Sequence, residues 1–460
     1  MNIQLNYLLF QRIFYQLSPF LILPLIARIL GPEGLGQIAL AQSIFIYFNF
    51  FSSLGSASSN QNEISKYKSS LTKKYILASK LQISKSFLCI ISLFLYVIFI
   101  FIFVPNSIRI LSLILIFDLL INSIDTTWFY YAVKKFKLVS KLLIVTRIIS
   151  ILLIYALVKN KNDIYIYLLS LSLPNFLMYL ILFIKFKANI KFEYLNLDFI
   201  LKKIKIYFKI GLSLSGLIFI AYTDKIMLFF LTESYMNLGF YDQVNKFINL
   251  PLGFTIALST FTISIFEKNS KSIKLISKII SINFITISTY MFLIIFFSKE
   301  MISIILGNKF INIFPYLIIY SLILPIKSLN LFLINSIMLK QGFYNKIFKY
   351  VFVALIVNII INFLLIPKLI IYGAIIASII AELVLFFLII NFNKNILIKL
   401  FKEFDKLIFL FLITLQFFIF FITYKFIGTN SVLNIFIIII ISSFLNIIYY
   451  FKTFKKPYVA

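Results

Sequence analysis

Apolar residues run along this chain in blocks too long for the helices or strands of a soluble core. A membrane-spanning helix needs roughly 20 mostly apolar residues. Fourteen blocks approach that length, at 8–29, 36–54, 81–104, 108–131, 138–158, 164–183, 208–231, 240–266, 279–297, 314–338, 347–366, 370–390, 407–426 and 432–451. Asn430 marks a hinge between the last two, which makes twelve to fourteen the range. The pattern predicts an all-α polytopic membrane protein.

The polar connections alternate in charge. Lysines crowd the segments after the second, fourth, sixth, eighth, tenth and twelfth blocks: Lys66–Lys74, Lys134–Lys137, Lys185–Lys205, Lys268–Lys274, Lys340–Lys346 and Lys394–Lys402. Lys452, Lys455 and Lys456 follow the last block. The intervening connections, such as 31–35, 105–107 and 367–369, carry few cations. Cytoplasmic loops hold the excess of Lys and Arg in membrane proteins. This places both termini and the basic loops in the cytoplasm. The N-terminus lacks the basic n-region and cleavage site of a signal peptide, so the first block is read as a retained helix.

The longest connection, 184–207, divides six blocks from eight. The expected organisation is an N-terminal lobe at 1–184, a cytoplasmic linker at 185–207, a C-terminal lobe at 208–391 and two further helices at 392–460. An even number of spans per half implies a pseudo-two-fold axis along the membrane normal. Leu35-Gly36-Gln37-Ile38 and Leu238-Gly239-Phe240-Tyr241, which open the second helix of each half, are a weak echo of that repeat.

Composition supports the membrane class: 62% of residues are hydrophobic and 13% charged, where a soluble domain has about a quarter charged. The net charge of +29 lies in loops between apolar blocks, so no nucleic-acid partner is implied. There is no histidine and a single cysteine, Cys89. Histidine acid/base chemistry, His- or Cys-ligated metal sites and an intrachain disulfide are thereby excluded. No connection is long enough for the extracytoplasmic catalytic domain of a membrane polymerase or glycosyltransferase, and nothing resembles a channel filter. The protein is expected to be a transporter without cofactor, not an enzyme.

Charge inside the spans is costly and marks functional positions by default. The candidates are Arg12, Arg28, Asp118, Asp125, Arg147, Asp224, Lys225, Asp242, Lys246, Lys327 and Glu382. Facing lipid, each would cost about 2.5–3.5 kcal/mol, so the set implies a polar cavity. Arg147 and Asp118 have similar depth on helices joined by a short loop, which predicts a pair, structural or functional. Asp125 is read as solvated near the cytoplasmic boundary. Asp242 and Lys246 are four apart, the spacing of a helical ion pair. Pro19 and Pro24 predict a bend in the first helix, static or part of a gate. Gln11, Gln16, Gln42, Asn49 and Asn122 suit either sugar hydrogen bonding or helix packing.

Two stretches carry a family resemblance. Ala27-Arg28-Ile29-Leu30-Gly31-Pro32-Glu33-Gly34-Leu35-Gly36, with Ala39-Leu40-Ala41-Gln42-Ser43, resembles the first extracytoplasmic turn of bacterial polysaccharide-export flippases. Asp224-Lys225-Ile226-Met227-Leu228, with Leu238 to Lys246, resembles the start of their second lobe. These are the O-antigen and capsule repeat-unit translocases of the multidrug/oligosaccharidyl-lipid/polysaccharide exporter superfamily. The resemblance implies two six-helix lobes around a cavity open alternately to each side. The implied cargo is an undecaprenyl-pyrophosphate-linked oligosaccharide, moved from the inner to the outer leaflet. Such a carrier's anionic pyrophosphate calls for cations, here Arg12, Arg28, Arg147, Lys225, Lys246 and Lys327. Asp118, Asp224, Asp242 and Glu382 are the candidates for Na+ or H+ coupling. Membrane lipids, a polysaccharide polymerase and a chain-length regulator are the expected partners.

The two C-terminal helices depart from the twelve-span members and are similar to those of the peptidoglycan-precursor flippase branch. A cation-coupled multidrug antiporter of the same superfamily would share the fold. It would be expected to place acidic groups within its first helices, where this chain has arginines.

Overall fold

The structure, a computed structural model, describes residues 3–187, 196–265, 270–403 and 406–427. No strand occurs among them. In chain order the α-helices are α1 (Ile3–Ser53), α2 (Ser56–Lys66), α3 (Leu71–Phe103), α4 (Asn106–Ile114), α5 (Ile116–Ile124), α6 (Thr127–Ala132), α7 (Phe136–Leu157), α8 (Ile164–Lys187), α9 (Leu197–Thr232), α10 (Tyr235–Asn249), α11 (Leu252–Ile265), α12 (Ser270–Ile305), α13 (Phe314–Ser321), α14 (Leu324–Leu333), α15 (Tyr344–Leu369), α16 (Ile371–Lys402) and α17 (Lys406–Ile422). A π turn, Ile334–Met338, extends α14.

Among the described residues nine helices are long and apolar enough to cross a membrane, or ten if the pair Asn308–Ser321 and Leu324–Met338, bent by 53°, is one span. The expected count of fourteen is not confirmed among the described residues. Blocks one and two fall in the single 51-residue helix α1. At 1.5 Å per residue that helix would extend about 75 Å, against a hydrocarbon core of about 30 Å, so it cannot be one straight pass. It breaks at Gly31, whose φ of 68° and ψ of −175° lie outside helical geometry. Pro32 follows at the first helical position, where its missing N–H costs nothing. The expected loop 31–35 is thus a one-residue break. The chain turns again at Leu54 and Gly55, both with positive φ. Block 407–426 appears as a shorter apolar helix, Leu410–Lys425, and block 432–451 lies outside the described residues.

Contacts divide the chain into two compact units, Met1–Gly239 and Phe240–Ala460. In the first, α1 packs on α3, α7 and α9, while α5 is held between α3 and α8. In the second, α15 and α16 form an antiparallel-connected pair through the Leu369–Ile371 turn, and α14 packs on α11, α12 and α16. Helix α17 lies on α12.

The two echoed motifs meet. A methyl group on Gly36 would sit 1.8 Å from the Tyr235 carbonyl oxygen, and one on Gly239 would sit 1.9 Å from that of Pro32. Backbones approach this closely only where both positions lack a side chain, the small-residue contact of membrane helices.

Candidate functional site

Pro19 sits inside α1 and has no N–H, so the Tyr15 carbonyl one turn back loses its helical donor. Ser18 substitutes: its hydroxyl donates to that carbonyl at 3.1 Å. The same hydroxyl oxygen accepts Arg147 Nε–H from α7 at 2.6 Å. The guanidinium also lies over the Tyr15 ring, 5.8 Å from its centroid. The proline bend thereby builds a seat for a half-buried arginine from neutral groups. Among the described residues no carboxylate is within ion-pairing distance of Arg147.

The expected Arg147–Asp118 pair does not form. Helix α7 turns Arg147 toward α1, whereas Asp118 on α5 faces α8 and accepts the Ser172 hydroxyl. Asp125 is also not a solvated boundary residue. Its Oδ2 pairs with Lys85 Nζ at 2.8 Å, and its Oδ1 accepts the Thr127 N–H and hydroxyl at 2.8 and 2.6 Å. Lys85 donates again to the Asp125 carbonyl at 3.0 Å and is 1% exposed. Sequence reasoning missed Lys85, although it lies inside the block 81–104; the signal was a lysine within an apolar run. Beside it, Trp128 donates to Gln82, and Gln82 donates to the Ser123 carbonyl. This corner joins α3 to the break between α5 and α6.

Several amides singled out in the sequence are occupied by packing. Asn122 donates to Asn49 Oδ1 at 2.7 Å and to Ser52, and Gln11 accepts the Ser140 hydroxyl at 3.0 Å.

In the second unit, α10 carries the expected i,i+4 pair, with Lys246 Nζ 2.8 Å from Asp242 Oδ2. One step around the helix, Asn249 Nδ2 donates to Asn245 Oδ1 at 2.8 Å. Asn249 Oδ1 accepts Lys327 Nζ from α14 at 3.1 Å. Pro251, just beyond, leaves the Phe247 carbonyl without its helical donor, and the Tyr290 hydroxyl donates to it at 3.1 Å. Glu382 on α16 is buried and accepts Asn330 Nδ2 on its Oε2 at 2.8 Å and on its own carbonyl at 2.9 Å.

Of the remaining candidates, Asp224 is buried on α9, and Lys225 beside it lies over the Tyr222 ring at 4.9 Å. Arg28 is exposed on α1, one turn before the Gly31 break. The Arg12 side chain lies outside the described residues. Among the described residues no three carboxylates or thiols converge into a metal-binding cluster.

A family model for polysaccharide biosynthesis proteins matches residues 6–266. No curated protein matches the chain in sequence. Among solved structures, the lipid II flippase MurJ in an inward closed conformation aligns over 98% of this chain and 98% of its own, with TM-score 0.75 and 17% identity. An outward-facing multidrug resistance MATE family transporter of the MOP superfamily aligns over 85% of this chain and 96% of its own, with TM-score 0.52 and 14% identity. At these identities the likeness is one of fold, and both neighbours are membrane transporters. With a family match that covers more than half its length, this chain belongs to the polysaccharide biosynthesis protein family.

Proposed function

We propose that the protein is a flippase that moves an undecaprenyl-pyrophosphate-linked oligosaccharide repeat unit from the inner to the outer leaflet by alternating access, for O-antigen or another surface polysaccharide. The observation that carries this reading is Arg147, half-buried among the spans and held by a hydroxyl and an aromatic ring, with no carboxylate in ion-pairing distance among the described residues. A cation so placed is stabilised by an incoming anion, and a guanidinium matches phosphate oxygens in a two-pronged hydrogen bond. Membership of a polysaccharide biosynthesis family supports a sugar-bearing cargo.

A lipid-linked peptidoglycan precursor is the second reading. The whole-chain likeness to a lipid II flippase favours it, and its pyrophosphate would meet the same cation. The two are separated by the lipid-linked species that accumulates on the inner leaflet when the gene is deleted. Accumulation of an oligosaccharide repeat unit with normal peptidoglycan synthesis supports the first, and loss of wall synthesis overturns it.

The basic loops support cytoplasmic termini, and the flippase reading implies a location in the bacterial inner membrane. A cysteine at position 33 should then label from outside in intact cells and one at position 202 should not; outside labelling at 202 would overturn the orientation. A cargo carrying about two negative charges gains roughly 4–5 kcal/mol per 100 mV on moving outward, so the membrane potential can drive export unaided. Coupling to Na+ or H+ would place the exchange ion at Asp224 or Glu382. Transport in vesicles at an imposed potential without an ion gradient, retained in Asp224→Asn and Glu382→Gln, would exclude that coupling. A polymerase and a chain-length regulator are the protein partners this reading implies.

A further inference from the structure

Two lysines on helices of the second unit, Lys246 on α10 and Lys327 on α14, differ in what neutralises them. Lys246 is committed: Asp242, one turn away on α10, holds its ammonium at 2.8 Å. Lys327 is not. Among the described residues its ammonium donates to the neutral Oδ1 of Asn249, at 3.1 Å. Among the described residues no carboxylate lies within ion-pairing distance of it. Asn249 is itself oriented, because its NH2 group donates to Asn245 Oδ1 at 2.8 Å and so its carbonyl oxygen must face the lysine. Asn249 also ends α10, where the helix dipole contributes partial negative charge. The result is a lysine held in place without a counter-charge, in a span bent by 53° just before it.

We propose that Lys327, positioned by Asn249, is the contact of the second unit for the pyrophosphate of the lipid-linked cargo, while Lys246 remains bound to Asp242. The assignment rests on the flippase reading and deepens it. The Lys327–Asn249 contact is exposed, so the ammonium is open to a ligand. A neutral amide orients it and leaves its charge available, whereas a carboxylate would consume it. Asn245 acts one step further back, by fixing which face of the Asn249 amide meets the lysine.

The test uses the full-length protein in detergent, with farnesyl pyrophosphate as the probe and farnesol as the uncharged control. Lys327→Gln is expected to weaken farnesyl pyrophosphate by about tenfold or more, as for loss of a charge-assisted hydrogen bond, and to leave farnesol binding unchanged. Lys327→Arg should retain binding. Asn249→Asp is the decisive variant. It supplies the missing carboxylate, so pyrophosphate binding should fall while thermal stability is kept or raised; a merely structural role for Asn249 would lower both. Pyrophosphate binding at wild-type strength in Lys327→Gln and Asn249→Asp would overturn the assignment with the flippase reading intact. A wild-type protein that binds farnesyl pyrophosphate no better than farnesol would overturn the flippase reading, and this assignment with it.

Discussion

The corner around Lys85 and the contact between α10 and α14 both hold a lysine against an oxygen acceptor, yet they are built to opposite ends. Lys85 reaches a carboxylate and a carbonyl, and that carboxylate is saturated by Thr127. Every charge there is answered from within the protein. Among the described residues Lys327 reaches an amide, Arg147 in the first unit reaches a hydroxyl and a ring, and neither meets a carboxylate. An intramembrane charge is therefore not by itself a binding residue. The compensated cation fastens helices, and the uncompensated one is available to a ligand.

The comparison is broken most directly at Lys85. Lys85→Ala leaves Asp125 as an unpaired buried charge, and loss of one partner of a buried pair costs about 3–5 kcal/mol. Thermal unfolding in detergent should show that loss, and replacement of both residues by apolar ones of similar volume should recover most of it. A Lys85→Ala protein as stable as wild type would mean that the corner does not depend on the pair.

A smaller effect is expected at the Gly36–Gly239 crossing, which contains no charge. Gly36→Ala forces a methyl group into the Tyr235 carbonyl, and overpacking of this kind costs about 1–3 kcal/mol. The same unfolding measurement checks it, and an unchanged midpoint would show that the backbones separate without penalty.

Arg147→Ala sharpens the contrast with Lys85. It removes one hydrogen bond to Ser18, worth about 1 kcal/mol, together with an unneutralised charge, so stability should scarcely change. Export of surface polysaccharide should nevertheless be lost, as scored by complementation with membrane insertion verified. The smallest effect belongs to Lys203 and Glu63, paired at 2.6 Å with the glutamate side chain 32% exposed. Glu63→Gln should shift stability by no more than about 1 kcal/mol and leave export intact.

Much of the architecture is legible along the chain. Block 136–157 of the structure matches an expected 138–158, and α15 at Tyr344–Leu369 encloses the expected 347–366. The first two blocks were also legible as separate runs, and the structure separates them at Gly31, which the sequence placed in a longer loop. The Asp242–Lys246 pair followed from helical spacing because both residues share one helix. The Arg147–Asp118 pair failed because equal depth on neighbouring helices leaves the rotation of each helix undetermined. That rotation turns Arg147 toward Ser18 and Asp118 toward Ser172.

The chain by itself determined membership of the membrane class, the helical character of its spans, the sidedness expected of its basic loops and the motifs of its family. These are local properties. The length of an apolar run is set against a bilayer of nearly constant thickness, and loop lysines are counted one loop at a time. Only the tertiary structure decided which charges are answered and which are not. Lys85 and Asp125 are 40 residues apart, and Asn249 and Lys327 are 78 apart. Whether such residues meet depends on how separate helices are turned and packed against one another, and hydrophobic periodicity does not encode the partner across that gap.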